Sequence, residues 1–182
     1  ENNVLAVKAE FEAEGSRKDE LIRLNELVFR ADMKLFIKIG GCEAVRDLDQ
    51  CRLLGASGIM APMIESPFAM KKFVGAAKKV YGPEVSDIEW IINAETKTCK
   101  QNFDEILDQG AGFLNTISIG RVDLSASMGL TRDAINGEEV FETSQYFAKK
   151  AKAAGVVVGF GGGISFDAID FIKGMKGLAD KF

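Results

Sequence analysis

The chain contains no histidine, so an imidazole base, a histidine-activated nucleophile and a histidine-bound metal are all excluded. Its three cysteines, Cys42, Cys51 and Cys99, are scattered without a paired spacing. That pattern is typical of reduced thiols buried as small hydrophobic groups, rather than of a disulfide framework or a zinc site. Any chemistry must therefore use carboxylates, Lys, Arg, hydroxyl groups or a metal.

The chain also lacks an excess of positive charge and a long apolar run. Lys and Arg number 23 against 27 Asp and Glu, and no basic stripe is interleaved with aromatic residues, which excludes nucleic acid as an expected partner. No apolar segment approaches the roughly 18 residues that span a bilayer, and no signal segment opens the sequence. We expect a cytoplasmic protein without membrane contact, folded as one globular domain over residues 1–182.

Short β-rich runs alternate with longer helical patterns, which predicts βαβ units and a parallel sheet. The predicted strands cover residues 4–12, 35–40, 58–65, 88–95, 115–123 and 156–161, with a seventh beginning near Leu178. The clearest predicted helices begin near Lys18, Cys42, Pro67, Thr98 and Gly137. No linker or low-complexity block divides the sequence, so the choice lies between a barrel and an open sheet.

Polar residues recur on one face of several predicted strands, because strand side chains alternate between faces. Those that share this face are Lys8, Glu10, Glu12, Glu14, Lys38, Asn93, Glu95, Arg121 and Asp123. Ionised groups cannot all be buried in apolar surroundings unless they are paired or metal-bound. Most lie towards the carboxyl ends of their strands, where barrels and open α/β sheets both place their sites. The pattern predicts one shared polar chamber.

Two carboxylates end neighbouring strands, Glu95 in INAET and Asp123 in IGRVDLSASMG. Both can project into one mouth, where carboxylate oxygens and waters form the oxygen-only environment that Mg²⁺ or Mn²⁺ prefers. Spacing alone does not distinguish a metal site from two carboxylates that only stabilise the fold. Carboxylates at strand ends also accept backbone N–H bonds or pair with Lys.

Four motifs in this order, KIGGCEAVRDL, APMIESPFAMKKF, INAETKTCKQNFDEIL and SIGRVDLSASMGL, carry a resemblance. From about Val4 to Phe182 the chain resembles the HpcH/HpaI aldolase and citrate lyase beta-like family. The resemblance implies a parallel (β/α)₈ TIM barrel, Glu95 and Asp123 as ligands of Mg²⁺ or Mn²⁺, and chemistry through the enolate of pyruvate or of an acyl-CoA thioester. It also implies a homo-oligomer whose neighbouring subunits complete the mouth.

Two departures from the family pattern matter. The strand LFIKIGG offers Lys38 where the family usually carries Arg, and a Lys point charge does not replace a bidentate guanidinium. Lys38 can neutralise an enolate oxygen, form an ion pair with Glu10 or Glu12, or, as a weaker option, form a Schiff base. A typical barrel needs roughly 250 residues, and this sequence begins without Met and stops at ADKF, so we expect terminal pieces to be missing.

Other polar residues near the predicted mouth have a functional and a structural interpretation. Arg121 can bind a substrate carboxylate or pair with Glu95 or Asp123. Ser125 is predicted to contact substrate, or to act as a cap or a supporting donor. Glu65 is explained as well by the start of a helix as by a catalytic role. The segment GFGGGIS is explained as well by a tight turn as by anion binding.

The sequence thus predicts a class II type aldolase. Glu95 and Asp123 hold the ion, a 4-hydroxy-2-oxo acid chelates it, and Lys38 or Arg121 adds positive charge at the enolate. A metal-bound or ordered water carries the proton, and the products are pyruvate and an aldehyde. The alternatives are a citrate-lyase-like acyl-CoA lyase and a barrel that binds ligand without turnover.

Overall fold

The computed structural model of the chain describes residues 4–182, and its strands form one parallel sheet. Each strand is hydrogen-bonded to the next one along the chain, and the sheet curls into a half-barrel. The strands are β1 (Ala6–Glu10), β2 (Lys34–Lys38), β3 (Gly58–Ala61), β4 (Glu89–Ala94), β5 (Thr116–Gly120) and β6 (Val157–Gly161). Sequential parallel order is the topology of a TIM barrel, so the α/β prediction is confirmed.

Helices fill the connections between the strands. They are α1 (Lys18–Arg30), α2 (Val45–Leu53), α3 (Pro67–Tyr81), α4 (Lys97–Gln101), α5 (Phe103–Gly110), α6 (Arg121–Ser127), α7 (Glu138–Ala153) and α8 (Ile169–Gly174). Helix α3 begins where the sequence predicts, because Ser66 Oγ accepts the Ala69 N–H at 3.1 Å and Pro67 occupies the first turn. Short 3₁₀ turns cover Gly82–Asp87, Arg132–Asn136 and Phe166–Ala168.

The hydrophobic core lies between the outer face of the sheet and the helices. Leu35, Ile37 and Ile39 on one face of β2 and its extension are buried against it, as their parity predicts. Trp90 stacks on Phe113 with 5.0 Å between ring centroids and donates its indole N–H to the Val85 carbonyl at 2.7 Å. The alternate side chains of the strands are left for the inner face of the half-barrel.

Several predicted boundaries are wrong for identifiable reasons. Strand β3 ends at Ala61 because Pro62 lacks an N–H and Met63 has a left-handed φ of 50°. The predicted helix from Thr98 is two helices, interrupted at Asn102, whose side-chain amide donates to the Glu65 carbonyl at 2.8 Å. Helix α6 was not predicted, because the strand before it was expected to continue to Asp123.

The complete (β/α)₈ barrel is not present in the part of the chain that the structure describes; its six parallel strands form a curled half-barrel. The predicted seventh strand is present as a single parallel bridge between Gly159 and Lys181, three residues later than Leu178. In residues 4–182 no helix combines the length and hydropathy needed to cross a bilayer.

Candidate active site

The inner face of the half-barrel is polar at the carboxyl ends of the strands, as the alternation predicts. Glu10, Lys38, Asn93 and Glu95 are all buried there, each less than a tenth exposed. We call this group, together with Asp123, the mouth of the half-barrel. Burying four polar or ionisable side chains side by side is costly unless they satisfy one another or a ligand satisfies them.

Glu95, which directly follows β4, is the most deeply buried member at 1% exposure. Its Oε1 accepts the backbone N–H of Met63 at 3.1 Å, and its Oε2 accepts the side-chain amide of Asn93 at 2.8 Å. A Cβ atom at Gly120 would lie 2.4 Å from Glu95 Oε2, so this position on β5 has no room for a side chain. The carboxylate is therefore held in one orientation from three elements.

The electrostatic environment of Glu95 disfavours its ionised form. Burial raises the pKa of this carboxyl to about 7, although Lys38, the Met63 N–H and the Asn93 amide oppose the shift. The neighbouring negative charge of Asp123 raises the pKa further. A buried carboxyl with too little positive charge around it near neutral pH fits a site built for an additional cation.

Lys38 forms an ion pair that the sequence left as one of its alternatives. Its Nζ lies 2.5 Å from Glu12 Oε2, while Glu10 instead pairs with Lys8 at 2.6 Å. Burial alone would lower the pKa of Lys38, but the hydrogen bond to Glu12 and the charge of Glu95 leave it above its ordinary value. Lys38 is thus held protonated, which disfavours the Schiff-base alternative.

Asp123 reaches the mouth by a different route from the predicted one. The expected strand over residues 115–123 is wrong beyond Gly120, because β5 ends there and α6 begins at Arg121. Asp123 lies in the first turn of this helix, half-buried, and its charge acts on Glu95. β4 and β5 are paired in register, with Ala94 opposite Ile119, and the charge of Asp123 reaches Glu95, so the two predicted ligands lie at the same end of neighbouring strands.

Arg121 is fully buried and engages neither Glu95 nor Asp123 by a hydrogen bond or ion pair in the described residues. Its guanidinium donates to the Gly161 carbonyl at 3.2 Å, to Asn136 Oδ1 at 2.7 Å and to the Gly162 carbonyl at 2.6 Å. It also lies 4.5 Å from the ring centroid of Phe171. The predicted pairing with a mouth carboxylate is therefore wrong, and the predicted substrate contact stays a prediction that this geometry does not favour.

Serines in α6 bond within the fold. Ser125 is buried and donates to the Val122 carbonyl at 2.8 Å, and Ser127 donates to the Leu124 carbonyl at 2.8 Å. Ser127 Oγ also accepts the N–H of Lys97 at 3.1 Å and so joins the start of α4 to α6. These contacts fit the supporting role that the sequence left open; a substrate contact of Ser125 stays a prediction.

The glycine-rich segment after β6 makes a tight turn, as one interpretation of the sequence had it. Gly162 and Gly163 have φ values of 78° and 62°, which side chains rarely adopt. A Cβ at Gly162 would lie 3.0 Å from the Val122 backbone nitrogen. Two carbonyls of this turn hold Arg121, so the turn and α6 form one unit behind Asp123.

Two groups at the mouth were not singled out from the sequence, and Asn93 was placed on the polar face without a role. The Met63 N–H depends on a left-handed residue after Pro62, and no sequence signal announces that conformation. Gly120 could have been found, because a glycine that ends a strand beside a carboxylate strand end often marks a close approach. Asn93 shares strand parity with Glu95, which already places its amide beside the carboxylate.

The donor set at the mouth suits a hard divalent cation. Within residues 4–182 no group of three or more His, Cys, Asp or Glu side chains is placed to hold a metal ion, so an ion at Glu95 and Asp123 would need further oxygen ligands. Asn93 Oδ1 is buried beside them and has no hydrogen-bond partner in this part of the chain. Two carboxylates and an orphaned amide oxygen match the oxygen ligands, completed by water, that Mg²⁺ or Mn²⁺ takes.

The opposite end of the half-barrel is organised differently. Glu89, at the start of β4, accepts hydrogen bonds from Lys181 Nζ at 2.5 Å and from Thr116 Oγ1 at 2.6 Å. We call these three residues the floor. Two surface cavities, of about 300 and about 530 Å³, lie at this end, beside the starts of β3 and β4 and of β5 and β6, away from Glu95.

Comparison with solved structures gives the same fold at low sequence identity. An HpcH/HpaI aldolase from Desulfitobacterium hafniense DCB-2 is 16% identical with a TM-score of 0.82, over 98% of this chain and 76% of that one. The citrate synthase SbnG is 16% identical with a TM-score of 0.78, over 99% and 76%. An HpcH/HpaI aldolase/citrate lyase family protein from Burkholderia cenocepacia J2315 is 16% identical with a TM-score of 0.78, over 92% and 75%.

At this identity the likeness to solved structures establishes the fold alone. No curated protein sequence matches the chain. The model of the HpcH/HpaI aldolase/citrate lyase family matches residues 16–161, which is most of the sequence and includes Lys38, Glu95 and Asp123. The resemblance seen in the motifs is thereby confirmed, and the chain belongs to the HpcH/HpaI aldolase/citrate lyase family.

Proposed function

We propose that the protein is a divalent-metal-dependent lyase that cleaves a 4-hydroxy-2-oxo acid into pyruvate and an aldehyde. Family membership gives a lyase kind of function, and the family generally depends on divalent metals. The observation that carries the finer proposal is the buried Glu95 carboxyl, oriented from three elements, with Asp123 as a second negative neighbour. Such a pair is unfavourable by itself and favourable around a cation.

Glu95 and Asp123 would hold the ion, with Asn93 Oδ1 available to it or to its water. When bound, Mg²⁺ or Mn²⁺ supplies a Lewis acid that polarises the 2-oxo group of the substrate. The chain's own contribution is orientation: the Met63 N–H and the Asn93 amide each fix one Glu95 oxygen, and Gly120 leaves space for the carboxylate. Fixing ligands in this way removes reorganisation from the reaction.

In the cleavage step the C3–C4 bond breaks, and its electron pair stays on the three-carbon fragment as the enolate of pyruvate. The 4-hydroxyl loses its proton to an ordered water and becomes the aldehyde oxygen. Lys38, held protonated beside Glu95, stabilises the negative charge that develops on the enolate oxygen. The enolate then takes a proton at C3 and leaves as pyruvate.

Arg121 acts indirectly in this proposal. Its guanidinium ties the first turn of α6 to the turn after β6, and Asp123 stands in that same turn of α6. Ser125 and Ser127 continue the support along the helix. The homo-oligomer and the cytoplasmic location remain predictions of the same kind, for which a native mass and a fractionation experiment are the tests.

The test is pyruvate release from 4-hydroxy-2-oxopentanoate with Mg²⁺ or Mn²⁺, and again with chelator. We expect metal-dependent turnover that falls by about a thousandfold or more in Glu95→Gln and in Asp123→Asn, since each removes a ligand charge. Glu89→Gln is the matched control, because it makes the same change on β4 at the floor.

Retained cation binding without pyruvate release would instead support the acyl-CoA lyase or the non-catalytic barrel. Cleavage of an acyl-CoA substrate by the same protein separates those two alternatives. Pyruvate release that continues at full rate in chelator would contradict the proposed metal dependence.

A further inference from the structure

Arg121 is a buried cation that forms no ion pair within residues 4–182. Its three hydrogen bonds all go to neutral oxygens: the backbone carbonyls of Gly161 and Gly162, and Oδ1 of Asn136. A buried charge is normally matched by an opposite charge, because its lost hydration is costly to replace. Asn136 supplies the side-chain acceptor of this set, so it is the one contact of Arg121 that a substitution can remove directly.

Three segments of the chain meet around this guanidinium. The first turn of α6 carries both Arg121 and Asp123, the turn after β6 supplies two carbonyls, and the 3₁₀ turn Arg132–Asn136 supplies the amide oxygen at 2.7 Å. The last two segments also approach each other closely, since a Cβ atom at Gly163 would collide with Ile135 Cδ1. Arg121 is therefore the buried centre of a unit that lies behind Asp123.

Helix α6 depends on this unit for its position. It contains seven residues, and a helix of that length is held by tertiary contacts more than by its own hydrogen bonds. Gly120 before it makes no side-chain cap. A change in the anchoring of Arg121 should therefore be felt at Asp123, two positions along the same turn.

We propose that Asn136 is a positioning residue for the metal site: it holds Arg121, Arg121 holds the first turn of α6, and that turn places the Asp123 carboxylate. A carboxylate at position 136 would hold the guanidinium more firmly than the amide does, because it adds the opposite charge that this cation lacks. The inference rests on the proposed function, since it takes Asp123 as a ligand of the ion.

The test is calorimetric Mn²⁺ binding to wild type, Asn136→Ala and Asn136→Asp, without dependence on turnover. We expect Asn136→Ala to bind Mn²⁺ about tenfold more weakly, as is typical when a contact that orients a ligand is lost. Asn136→Asp should bind at least as tightly as the wild type and should unfold at a higher urea concentration. Rescue by aspartate is the result that a general loss of stability in Asn136→Ala would not explain.

Asn25→Ala is the matched control. Asn25 on α1 donates its side-chain amide to the Leu54 carbonyl at 2.9 Å, which is a similar tie between two segments outside the mouth. We expect this variant to unfold at a lower urea concentration with its Mn²⁺ affinity unchanged. An equal fall in Mn²⁺ affinity in Asn25→Ala and Asn136→Ala would show that stability alone controls binding, and the positioning role would be wrong.

The outcomes separate this inference from the proposed function. If folded Asn136→Ala binds Mn²⁺ as tightly as the wild type, Asn136 has no positioning role while the metal site stands. If Asn136→Asp binds more weakly than the wild type, the inference is also wrong, and this variant decides alone should Asn136→Ala fail to fold. If the wild type binds no Mn²⁺, the proposed function fails and the inference fails with it.

Discussion

Two glutamates, one at the start of β4 and one directly after its end, have opposite environments although both share the strand parity of its inner face. Glu89, at the floor, receives hydrogen bonds from Lys181 and Thr116. Burial alone would raise the pKa of Glu89, but those partners outweigh burial and leave it below its ordinary value. Glu95, at the mouth, has weaker compensation, so burial dominates and raises its pKa to about 7.

The contrast separates a structural carboxylate from a functional one. A carboxylate whose partners all come from the chain has no further need of a ligand, whereas Glu95 keeps a deficit of positive charge beside Asp123. Strongly perturbed pKa values concentrate at functional sites for this reason. The same strand thus supports the fold at one end and is prepared for chemistry at the other.

After loss of the ligand charges themselves, the largest expected effect is from Gly120→Ala. Its Cβ would lie 2.4 Å from Glu95 Oε2 and 2.9 Å from Glu95 Cβ, so Glu95 must move. A displacement of about 1 Å at a catalytic group typically lowers activity about a hundredfold. We expect that loss in kcat/KM, with a fall in the free energy of unfolding of about 1–3 kcal/mol from overpacking.

Gly161→Ala is the control for this substitution. Gly161 is the register partner of Gly120 on β6, and a Cβ there meets nothing within 4 Å. We expect near-wild-type activity and stability. Equal losses of activity in the two variants would show that strand-end glycines matter for the backbone, and the orientation of Glu95 would then not be the cause.

The next effect is on stability, and its sign differs between the two glutamates. Because the folded-state pKa of Glu95 is raised, metal-free protein loses stability as pH rises from about 4.5 through about 7. Glu95→Gln should therefore stabilise metal-free protein by up to about 3 kcal/mol at pH 8 and have little such effect at pH 4.5. Urea unfolding at both pH values, with chelator present, measures this.

Glu89→Gln should have the opposite effect and destabilise the folded protein near neutral pH. The pKa of Glu89 is lowered in the folded protein, so its ionised form contributes stability above its unfolded pKa, and that contribution disappears as pH falls through the folded value. We expect a loss of about 1 kcal/mol at pH 7, reduced by solvent screening of the partly exposed pair, and little loss in strong acid. If both substitutions changed the free energy of unfolding in the same direction, the two glutamates would not have opposite environments.

The last comparison concerns the neutral residues that support each glutamate. Asn93→Ala removes the donor to Glu95 Oε2, and loss of such a supporting contact lowers metal affinity about tenfold to a hundredfold. Thr116→Val removes the corresponding donor to Glu89 and should leave cation affinity unchanged. Calorimetric Mn²⁺ titration of both variants makes the comparison, and a fall in affinity for Thr116→Val would mean that the two ends are coupled.

Much of the fold was predictable because it depends on repeated local patterns. The alternation in β2 and β4 identified the outer core residues and the inner polar ones, and Ser66 with Pro67 located the start of α3. The end of β5 was not predictable in this way. The run from Gly120 to Asp123 is short and mixed, and its helical start coincides with contacts of Arg121 to a distant turn that the local sequence does not announce.

The site was predictable in its residue types and only partly in its contacts. Strand ends placed Glu95 and Asp123 together, and buried-charge arguments anticipated a partner for Lys38. The partners of Arg121 come from segments 15 to 41 residues away and include two backbone carbonyls. Backbone groups carry no sequence signature, so such contacts appear only in the three-dimensional structure.

The most direct test of the account is Mn²⁺ binding to wild type, Glu95→Gln, Asp123→Asn and Glu89→Gln, followed by electron paramagnetic resonance of free Mn²⁺. The account predicts one site in the wild type, lost in both mouth variants and kept in Glu89→Gln. Binding that survives in folded Glu95→Gln and Asp123→Asn, or that is lost equally in Glu89→Gln, would contradict the assignment of the metal site to the mouth.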